Sequence, residues 1–340
     1  MNPTLSIKKA VAAFLYYSGC IHFLENVKDK PGIILAYHRI LPKESVEITY
    51  TQPGMYVTTE SFEKHMAFIS KNFSIMRLED LANGTSHQNS CIVTFDDGWA
   101  DNYTNALPIL KRYGIPATIF LSTNVVGKRE WPWTDRVCFY IHSASLEEFI
   151  GTWEEVLQKS GLEHFKPAFT SQDKGVVREQ VISHMKAMDN QEVLSIIDEL
   201  DKVMANQNQQ LMKTRPWLTW DEVMEMREEG ISFGSHTHNH LILNSVPLLQ
   251  ARDEILTSQK MLSKKTGSTA TMFCYPNGDF NHEIMRIVAD AGYKIAVTTR
   301  RGFINESSSL LALNRIMMHD DMTSSIPMLA CVLTNRIPFF

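Results

Sequence analysis

Cysteines are scarce in this sequence, and those present follow no paired pattern. The five cysteines are spread along 340 residues and include no C-x-x-C pair: Cys20, Cys91, Cys138, Cys274 and Cys331. A disulfide framework normally shows an even set of cysteines, and a thiolate zinc site shows paired ones. Neither fits this chain, and the cysteines favour a reducing compartment.

Long basic runs are absent as well, and the formal net charge at pH 7 is -5. Proteins that bind nucleic acid usually carry a basic patch that neutralises phosphates. The sequence therefore predicts no nucleic-acid partner. Its hydrophobic content of 44% predicts a globular chain with a sizeable core.

The sequence also lacks an apolar run long enough to span a membrane. The stretch "AVAAFLYYSGCIHFL" has fifteen residues, whereas a span needs about 20. No small-x-small cleavage site follows it, so it does not match a secretory signal. An uncleaved anchor stays open as a minority alternative.

We predict that residues 1–30 contain an N-terminal helix that packs on the domain or lies against a membrane surface. On a helix, the following residues form a mostly apolar stripe: Val11, Phe14, Leu15, Ser18 and Ile21-His22. Peripheral membrane association through this helix is one expected interaction. The cysteines and the missing cleavage site predict a cytoplasmic protein or one on the inner face of the membrane, and an extracytoplasmic location stays open.

Residues 31–340 alternate between strand-sized apolar runs and helical segments. The runs are Ile33 to Tyr37, Cys91 to Phe95, Ala117 to Ser122, Ile231 to Ser235, Thr271 to Tyr275 and Lys294 to Thr298. Such alternation predicts an α/β fold with a parallel sheet, either open or closed into a barrel. The segment at about 135–213 differs, because it is charged, helical in period and free of strand-like runs, and it predicts a helical insertion.

Two adjacent acids end one of these runs, in "TFDDGW". Asp96 and Asp97 follow a strand that is predicted to be buried, and Gly98 comes next. Asp-Gly is ordinary turn chemistry, so a solvated loop is the simpler interpretation unless other residues supply partners.

Three histidines follow another strand end, in "SHTHNH". His236 and His240 share a face in a helical turn and also in an extended segment, whereas His238 joins them only in an extended one. Two imidazoles and one carboxylate form a known ligand set for catalytic zinc, with one position left for water. One carboxylate of Asp96-Asp97 could then bind the metal while its neighbour acts as the general base.

In this order, "TFDDG", "SHTHNH" and "FCYPNG" resemble successive motifs of the NodB-homology polysaccharide deacetylases, carbohydrate esterases, in a YPxG-type branch linked to surface polysaccharides. The resemblance runs from "ILAYHRI" to "LNRIMMH", with the helical insertion outside it. It implies a distorted (β/α) barrel in which Asp96 is the base. By the same resemblance, Asp97, His236 and His240 bind one divalent metal, commonly zinc.

The later motifs imply the remaining roles. His319, in "MMHDD", resembles the histidine that protonates the leaving group, although a solvated loop is the alternative, and His38 is a rival acid or a residue supporting the site. The oxyanion would form beside a backbone N–H of the loop that contains Tyr275 and Asn277. Trp99 is a candidate to stack on sugar rings, as is "WPW" at 131–133, with core packing as the alternative.

The third motif departs from the family pattern, because Cys274 stands where an arginine often orients the base, and Asn277 stands where an aromatic residue is usual. Arg39 and Arg315 are the candidates to orient Asp96 instead. Each could equally form an ordinary surface ion pair.

The sequence therefore predicts a hydrolase that removes an acetyl group from an N-acetylated sugar of a cell-surface polysaccharide or its precursor. The expected partner is an acetylated oligo- or polysaccharide. Two alternatives stay open. One is an O-acetyl esterase or another amide hydrolase on the same fold, which would depend less on His319 because an alkoxide leaves more easily than an amine. The other is a non-catalytic carbohydrate-binding protein.

Overall fold

A computed structural model describes residues 3–20, 31–45, 47–52, 54–85, 87–165, 169, 171–305 and 307–334. The chain divides into two compact units. The first comprises Met1–Lys43, Pro53–Lys128 and Trp217–Phe340, and the second comprises Glu44–Gln52 and Arg129–Pro216. Helices and strands are numbered below in chain order over both units.

The first unit contains all the described strands and eight of the helices. The strands are β1 (Ile33–Tyr37), β2 (Arg39–Leu41), β3 (Tyr56–Thr58), β4 (Ser74–Ile75), β5 (Ser90–Phe95), β6 (Ala117–Leu121), β7 (Ser232–Ser235), β8 (Met272–Cys274), β9 (Ile295–Arg301) and β10 (Leu313–Met317). The helices are α1 (Pro3–Tyr17), α3 (Thr59–Asn72), α4 (Leu107–Tyr113), α10 (Trp220–Glu228), α11 (Leu248–Thr266), α12 (His282–Asp290), α13 (Asp320–Thr323) and α14 (Ile326–Thr334).

Within the described residues, seven parallel strands close into a barrel in the order β1-β10-β9-β8-β7-β6-β5. The ring closes because β1 pairs with both β10 and β5, with Leu35 opposite Ile316 and Val93. The short strand β4 pairs beside β5, and β2 and β3 form a separate pair. The predicted distorted (β/α) barrel is therefore confirmed.

The six predicted apolar runs correspond to β1, β5, β6, β7, β8 and β9, with shifts of a few residues at their ends. Of the seven barrel strands, the pattern missed β10, which is needed to close the ring, and outside the barrel it missed the short strands β2, β3 and β4. Its sequence, "LNRIM", places Asn314 and Arg315 inside the apolar run. A buried strand with a buried arginine does not read as continuously apolar.

Alternate residues of the strands bury two hydrophobic clusters, because successive side chains point to opposite faces. The barrel interior includes Ile34, Ile92, Phe120, Cys274 and Leu313. The intervening residues pack outward with the surrounding helices: Leu35, Val93 and Ile316 join Phe62 and Met66 of α3. Arg315, two residues after Leu313, therefore lies on the inner face, and it is fully buried.

The second unit is helical within its described residues. Its helices are α2 (Glu47–Tyr50), α5 (Trp133–Ser143), α6 (Leu146–Lys159), α7 (Lys174–Lys186), α8 (Asn190–Val203) and α9 (Ala205–Leu211). Helix α6 packs against α8, while α5 contacts α7 and α9. The predicted insertion at 135–213 lies inside this unit, which also takes in residues 44–52 from earlier in the chain.

The N-terminal helix α1 packs on α14 through its Ala12 side, and Leu15 and Tyr16 contact the core. Of the predicted stripe, Val11 and Phe14 are exposed on another side of the helix. Ile21-His22 lie outside the described residues. Among the helices described, none combines the length and apolar character needed to cross a bilayer.

We expect Gly234→Ala, in β7, to lower the free energy of unfolding by about 1–3 kcal/mol. A Cβ at residue 234 would lie 2.5 Å from the Phe120 ring and 2.9 Å from the Met272 carbonyl, both in neighbouring strands. Denaturant unfolding of wild type and variant measures the change. The control is Gly151→Ala, inside α6, where nothing lies within 4 Å and alanine favours the helix. Equal stability of Gly234→Ala and wild type would contradict this packing.

Candidate active site

The polar residues singled out by their strand-end positions meet at one end of the barrel. Asp96 and Asp97 follow β5, His236 follows β7, and Cys274 is the last residue of β8. Because all seven strands run parallel, their carboxyl ends face the same way. The barrel thereby brings residues together that are far apart in sequence.

Asp97, His236 and His240 form a compact group whose potential ligand atoms all lie within 4.8 Å of one another. The Asp97 Oδ1 atom is 3.5 Å from His236 Nε2 and 3.3 Å from His240 Nε2. Asp97 and His236 are buried, whereas the His240 side chain is 47% exposed. The group is thus open to one side, as a site that admits a substrate must be.

His236 is neutral at pH 7, and its neutral form suits the binding of a cation by this group. Its Nδ1 donates to the Cys274 carbonyl at 2.8 Å, and burial lowers the pKa of His236 to about 4. The ring is therefore neutral at pH 7 and presents the Nε2 lone pair to the Asp97 carboxylate. Asp97 Oδ1 is itself buried and receives no hydrogen bond from the described residues. Electron pairs that converge in this way fit a divalent metal held by Asp97, His236 and His240.

Backbone strain is concentrated at the same place. Asp97, Thr237, His240 and Asn277 have φ values of 74°, 62°, 59° and 57°. Among the described non-glycine residues, only Asn89 also has positive φ. Such conformations cost free energy, and they are retained mainly where function requires a particular geometry.

Trp99 orients Asp97 by a hydrogen bond, so the prediction that its ring stacks on sugar rings was wrong. Its indole Nε1 donates to Asp97 Oδ2 at 3.0 Å. The ring is buried, stacks on Trp217 at 4.6 Å between centroids, and has the Arg39 guanidinium over it at 4.6 Å. A ring covered in this way cannot stack on a sugar. Trp131 of the second unit is buried too.

Arg315 holds Asp96 through two parallel hydrogen bonds. Its Nη1 donates to Asp96 Oδ1 at 2.7 Å and its Nη2 to Oδ2 at 2.6 Å. The Arg315 Nε atom donates to the Thr298 carbonyl at 2.8 Å, which fixes the guanidinium plane. Burial alone would raise the pKa of Asp96, but the charge and hydrogen bonds of Arg315 outweigh burial and lower it. Asp96 is therefore ionised at neutral pH.

Arg39 has a different partner, so its prediction as an orienting residue for Asp96 was wrong. Its Nε bonds Asp101 Oδ2 at 3.0 Å, and both side chains are buried. The interpretation of Arg39 and Arg315 as surface ion pairs was also wrong, because Arg315 is fully buried. The sequence could not show which of the two arginines contacts Asp96, because both lie in strands near the site.

Cys274 lies beside the pair formed by Asp96 and Arg315. Its Sγ is 3.2 Å from Arg315 Nη2 and 3.6 Å from Asp96 Oδ1. Burial raises the pKa of the Cys274 thiol well above its usual value, so it remains protonated. A small neutral side chain at the end of β8 leaves room for the guanidinium that enters from β10.

The two candidate acids occupy different positions. His38 Nε2 is 4.0 Å from Asp96 Oδ2. His319 is the N-cap residue of α13, with its Nδ1 3.5 Å from Asp321 Oδ2 and its side chain partly buried. Thr323 donates to the His319 carbonyl through both its backbone N–H and its hydroxyl, so this turn is ordered by hydrogen bonds.

A buried histidine that the sequence did not single out supports this turn. His65 of α3 contacts the Tyr37 hydroxyl through Nδ1 at 3.2 Å and the Thr323 carbonyl through Nε2 at 2.7 Å. Burial lowers the pKa of His65 to about 4, so one nitrogen donates to Thr323 while the other accepts from Tyr37. A lone histidine in an amphipathic helix gives no signal of this role.

The side chains of Tyr275 and Asn277 are engaged locally. The Tyr275 hydroxyl donates to the Leu311 carbonyl at 3.0 Å, and its ring is buried. The Asn277 amide donates to Asp279 at 2.6 Å. Any contact of this loop with an oxyanion would therefore come from its backbone.

His238 is directed away from the group of metal-ligand candidates. Its Nδ1 lies 2.9 Å from Thr123 Oγ1, in the loop after β6. The alternation of an extended segment, in which all three histidines share a side, is therefore not the conformation adopted. His236 and His240 are the pair that converges on Asp97.

We expect Arg315→Met to lower the free energy of unfolding by about 3–5 kcal/mol, because it leaves the buried Asp96 carboxylate unpaired. Denaturant unfolding at pH 7 provides the measurement. The double variant Asp96→Asn/Arg315→Met should recover much of this loss, since no buried charge remains. If the single variant were as stable as wild type, the pair would not be buried as described.

Comparisons with known proteins agree with this geometry. The polysaccharide deacetylase family model matches residues 83–161 and 172–296, together more than half of the chain. These ranges include most of the helical insertion, which the motif resemblance had left outside. The Bacillus subtilis (strain 168) protein YxkH, named as a candidate polysaccharide deacetylase, is 23% identical over 327 residues, covering 94% of this chain and 82% of YxkH.

Solved structures show the same fold. The Streptococcus pyogenes deacetylase PplD in complex with acetate has a TM-score of 0.56 at 20% identity, covering 87% of this chain and 96% of that chain. IcaB from Ammonifex degensii has a TM-score of 0.56 at 16% identity, covering 90% and 97%. The family match, together with a barrel whose strand ends gather two aspartates, two histidines and an arginine, shows that the chain belongs to the polysaccharide deacetylase family.

Proposed function

We propose that this protein removes an acetyl group from an N-acetylated sugar of a cell-surface polysaccharide or its precursor, with a divalent metal as cofactor. The observation that carries the proposal is the arrangement of Asp97, His236 and His240 beside an Asp96 that Arg315 holds ionised. A protein that only binds carbohydrate has no need of a buried base next to a metal-ligand set.

Asp97, His236 and His240 would hold the metal, and one carboxylate with two imidazoles suits zinc. When bound, such a cation polarises the acetyl carbonyl and lowers the pKa of water in the site. Trp99 then keeps Asp97 oriented by its hydrogen bond to Oδ2, while the Cys274 carbonyl keeps the proton of His236 on Nδ1. These contacts fix the ligands before substrate arrives.

Asp96 would take a proton from the attacking water. Although Arg315 bonds both of its oxygens, each carboxylate oxygen retains a second lone pair that can accept a proton. The lowered pKa keeps Asp96 ionised but makes it a weak base. A weak base is sufficient only if the pKa of the attacking water is also lowered. The base must therefore lie next to the residues that would hold the metal.

His319 would protonate the leaving nitrogen, since an amine is a poor leaving group until it gains a proton. Asp321 Oδ2 lies 3.5 Å from the Nδ1 atom of the ring, so Nε2 is the nitrogen that can face the substrate. His38, at 4.0 Å from Asp96 Oδ2, is better placed to contact the base than to reach a leaving group.

The proposal predicts that purified protein binds about one zinc ion per chain and releases acetate from N-acetylated oligosaccharides. We expect His240→Ala to bind zinc too weakly to retain it through dialysis, and to lose acetate release. Asp96→Asn should bind zinc but lose at least about 10²-fold in rate, as general-base variants do. Elemental analysis after dialysis and an acetate assay on paired N-acetylated and O-acetylated oligosaccharides provide the measurements.

An activated aryl acetate serves as the control substrate, because its leaving group needs no proton. His319→Ala should slow release from the N-acetylated sugar and leave aryl acetate hydrolysis nearly unchanged. The same pattern in His38→Ala instead would assign the acid to His38. Faster acetate release from O-acetylated than from N-acetylated sugars would mean that the substrate is an ester and not an amide. Zinc-loaded protein that releases no acetate from any of these substrates would contradict the proposal that the protein is an enzyme.

We also propose that α1 attaches the protein to the anionic inner face of a membrane. Its free side carries Ile7, Val11, Phe14 and Tyr17, of which Phe14 and Tyr17 are 69% and 79% exposed. Lys9 is an exposed charged residue of this helix, and its charge suits anionic headgroups. The five cysteines, none of which forms a disulfide in the described part of the chain, fit a reducing compartment.

We expect Phe14→Ser to weaken binding to vesicles that contain anionic phospholipid about tenfold, because one buried aromatic side chain contributes about 1.5–3 kcal/mol. Vesicle co-sedimentation measures this change. The matched control is Leu249→Ser, which removes a similarly exposed side chain from α11. Equal binding of Phe14→Ser and wild type, or no binding of wild type, would contradict the proposal.

A further inference from the structure

Glu254, in the second turn of α11, is a buried carboxylate without a basic partner. Only 5% of the residue is exposed. No lysine, arginine or histidine within the described part of the chain forms an ion pair with it. Burying an unpaired carboxylate is costly, so its surroundings must compensate through hydrogen bonds.

Those hydrogen bonds come from the loop that carries the metal-ligand histidines. Glu254 Oε2 accepts from the backbone N–H groups of His238 at 3.0 Å and Asn239 at 2.7 Å. Glu254 Oε1 accepts from the Asn239 side chain at 2.5 Å. Three N–H groups therefore fix the two residues that immediately precede His240.

The opposite side of the loop is held by the segment after β6. The Asn124 backbone N–H donates to the His238 backbone carbonyl at 2.9 Å. The Asn124 side-chain amide donates to the side-chain oxygen Oδ1 of Asn239 at 2.7 Å. Helix α11 and this segment thus grip the same two residues. The Glu254 bonds are the charged ones, and charge-assisted bonds are the stronger kind.

His240 is the more exposed of the two histidines in the metal-ligand group. Its side chain is 47% exposed, and its backbone has φ of 59°. His236, in contrast, is buried and is oriented by the Cys274 carbonyl. The position of the His240 ring beside Asp97 depends on the backbone of the two residues that precede it, and Glu254 binds both of them.

We propose that Glu254 is a positioning residue that holds His240 in the orientation required for metal binding. The inference rests on the proposed function, because it assigns His240 as a ligand. Glu254 touches neither metal nor substrate and acts through the His238-Asn239 backbone. A change at Glu254 should therefore alter metal affinity more than it alters the stability of the metal-free protein.

The test measures the zinc dissociation constant by chelator competition, together with the melting temperature of the metal-free full chain. We expect Glu254→Leu to raise the dissociation constant about 10–100-fold, as the loss of ligand-orienting contacts does. Glu254→Gln, which keeps an acceptor for the backbone N–H groups, should raise it less, by about threefold or more. Glu254→Gln also keeps the test decisive if Glu254→Leu does not fold.

Gln259→Ala is the matched control on the same helix. Gln259 Nε2 donates to the Ala291 carbonyl at 2.5 Å, away from the histidine loop, so this variant should lower the melting temperature without changing zinc affinity. A double-mutant cycle adds a second readout. In the background of His240→Ala, Glu254→Leu should cause no further loss of affinity.

A zinc affinity of Glu254→Leu and Glu254→Gln within twofold of wild type would overturn the inference and leave the proposed function intact. The same holds if Glu254→Leu weakens zinc binding equally with and without His240, because Glu254 would then act elsewhere. If wild type binds no zinc, the proposed function fails, and the inference fails with it.

Discussion

The site depends on the closure of the barrel through β1, which pairs with β5 on one side and β10 on the other. These pairings place β5, which ends before Asp96, and β10, which contains Arg315, on the two sides of β1. Without β1 between them, the two strands would lie at opposite ends of an open sheet, and the guanidinium could not bond the carboxylate. Closure also removes edge strands, since every strand of the ring has two neighbours.

The Asp96-Arg315 pair illustrates why a buried charge can be retained at a cost in stability. Both groups lose hydration inside the barrel, and the geometry compensates with two short parallel hydrogen bonds and a further bond to the Thr298 carbonyl. The neighbouring Asp97 is different, because Oδ1 is left to face imidazole nitrogens. Two adjacent carboxylates are thus given different surroundings, one neutralised by an arginine and one suited to a cation.

Much of this arrangement was predictable from the sequence. The continuous apolar runs identified six of the seven barrel strands, and the acids and histidines that follow two of these runs lie at one end of the barrel. The missing strand, β10, has a polar interruption at Asn314 and Arg315, so its pattern alone could not show it. Glu254 and His65 also gave no signal, because their partners are backbone groups of distant loops.

The sequence by itself determined which chemical groups are available, because the order of residues around a strand end is local: Asp96 beside Asp97, and His236 four residues before His240. Only the tertiary structure decided which cation holds Asp96, because Arg39 and Arg315 are equally basic and their partners are set by barrel closure. It likewise decided that Trp99 supports Asp97, since exposure and stacking depend on Trp217, more than a hundred residues away. The residue type determines the chemistry that a side chain can perform, and the packing of the fold determines which neighbouring group it contacts.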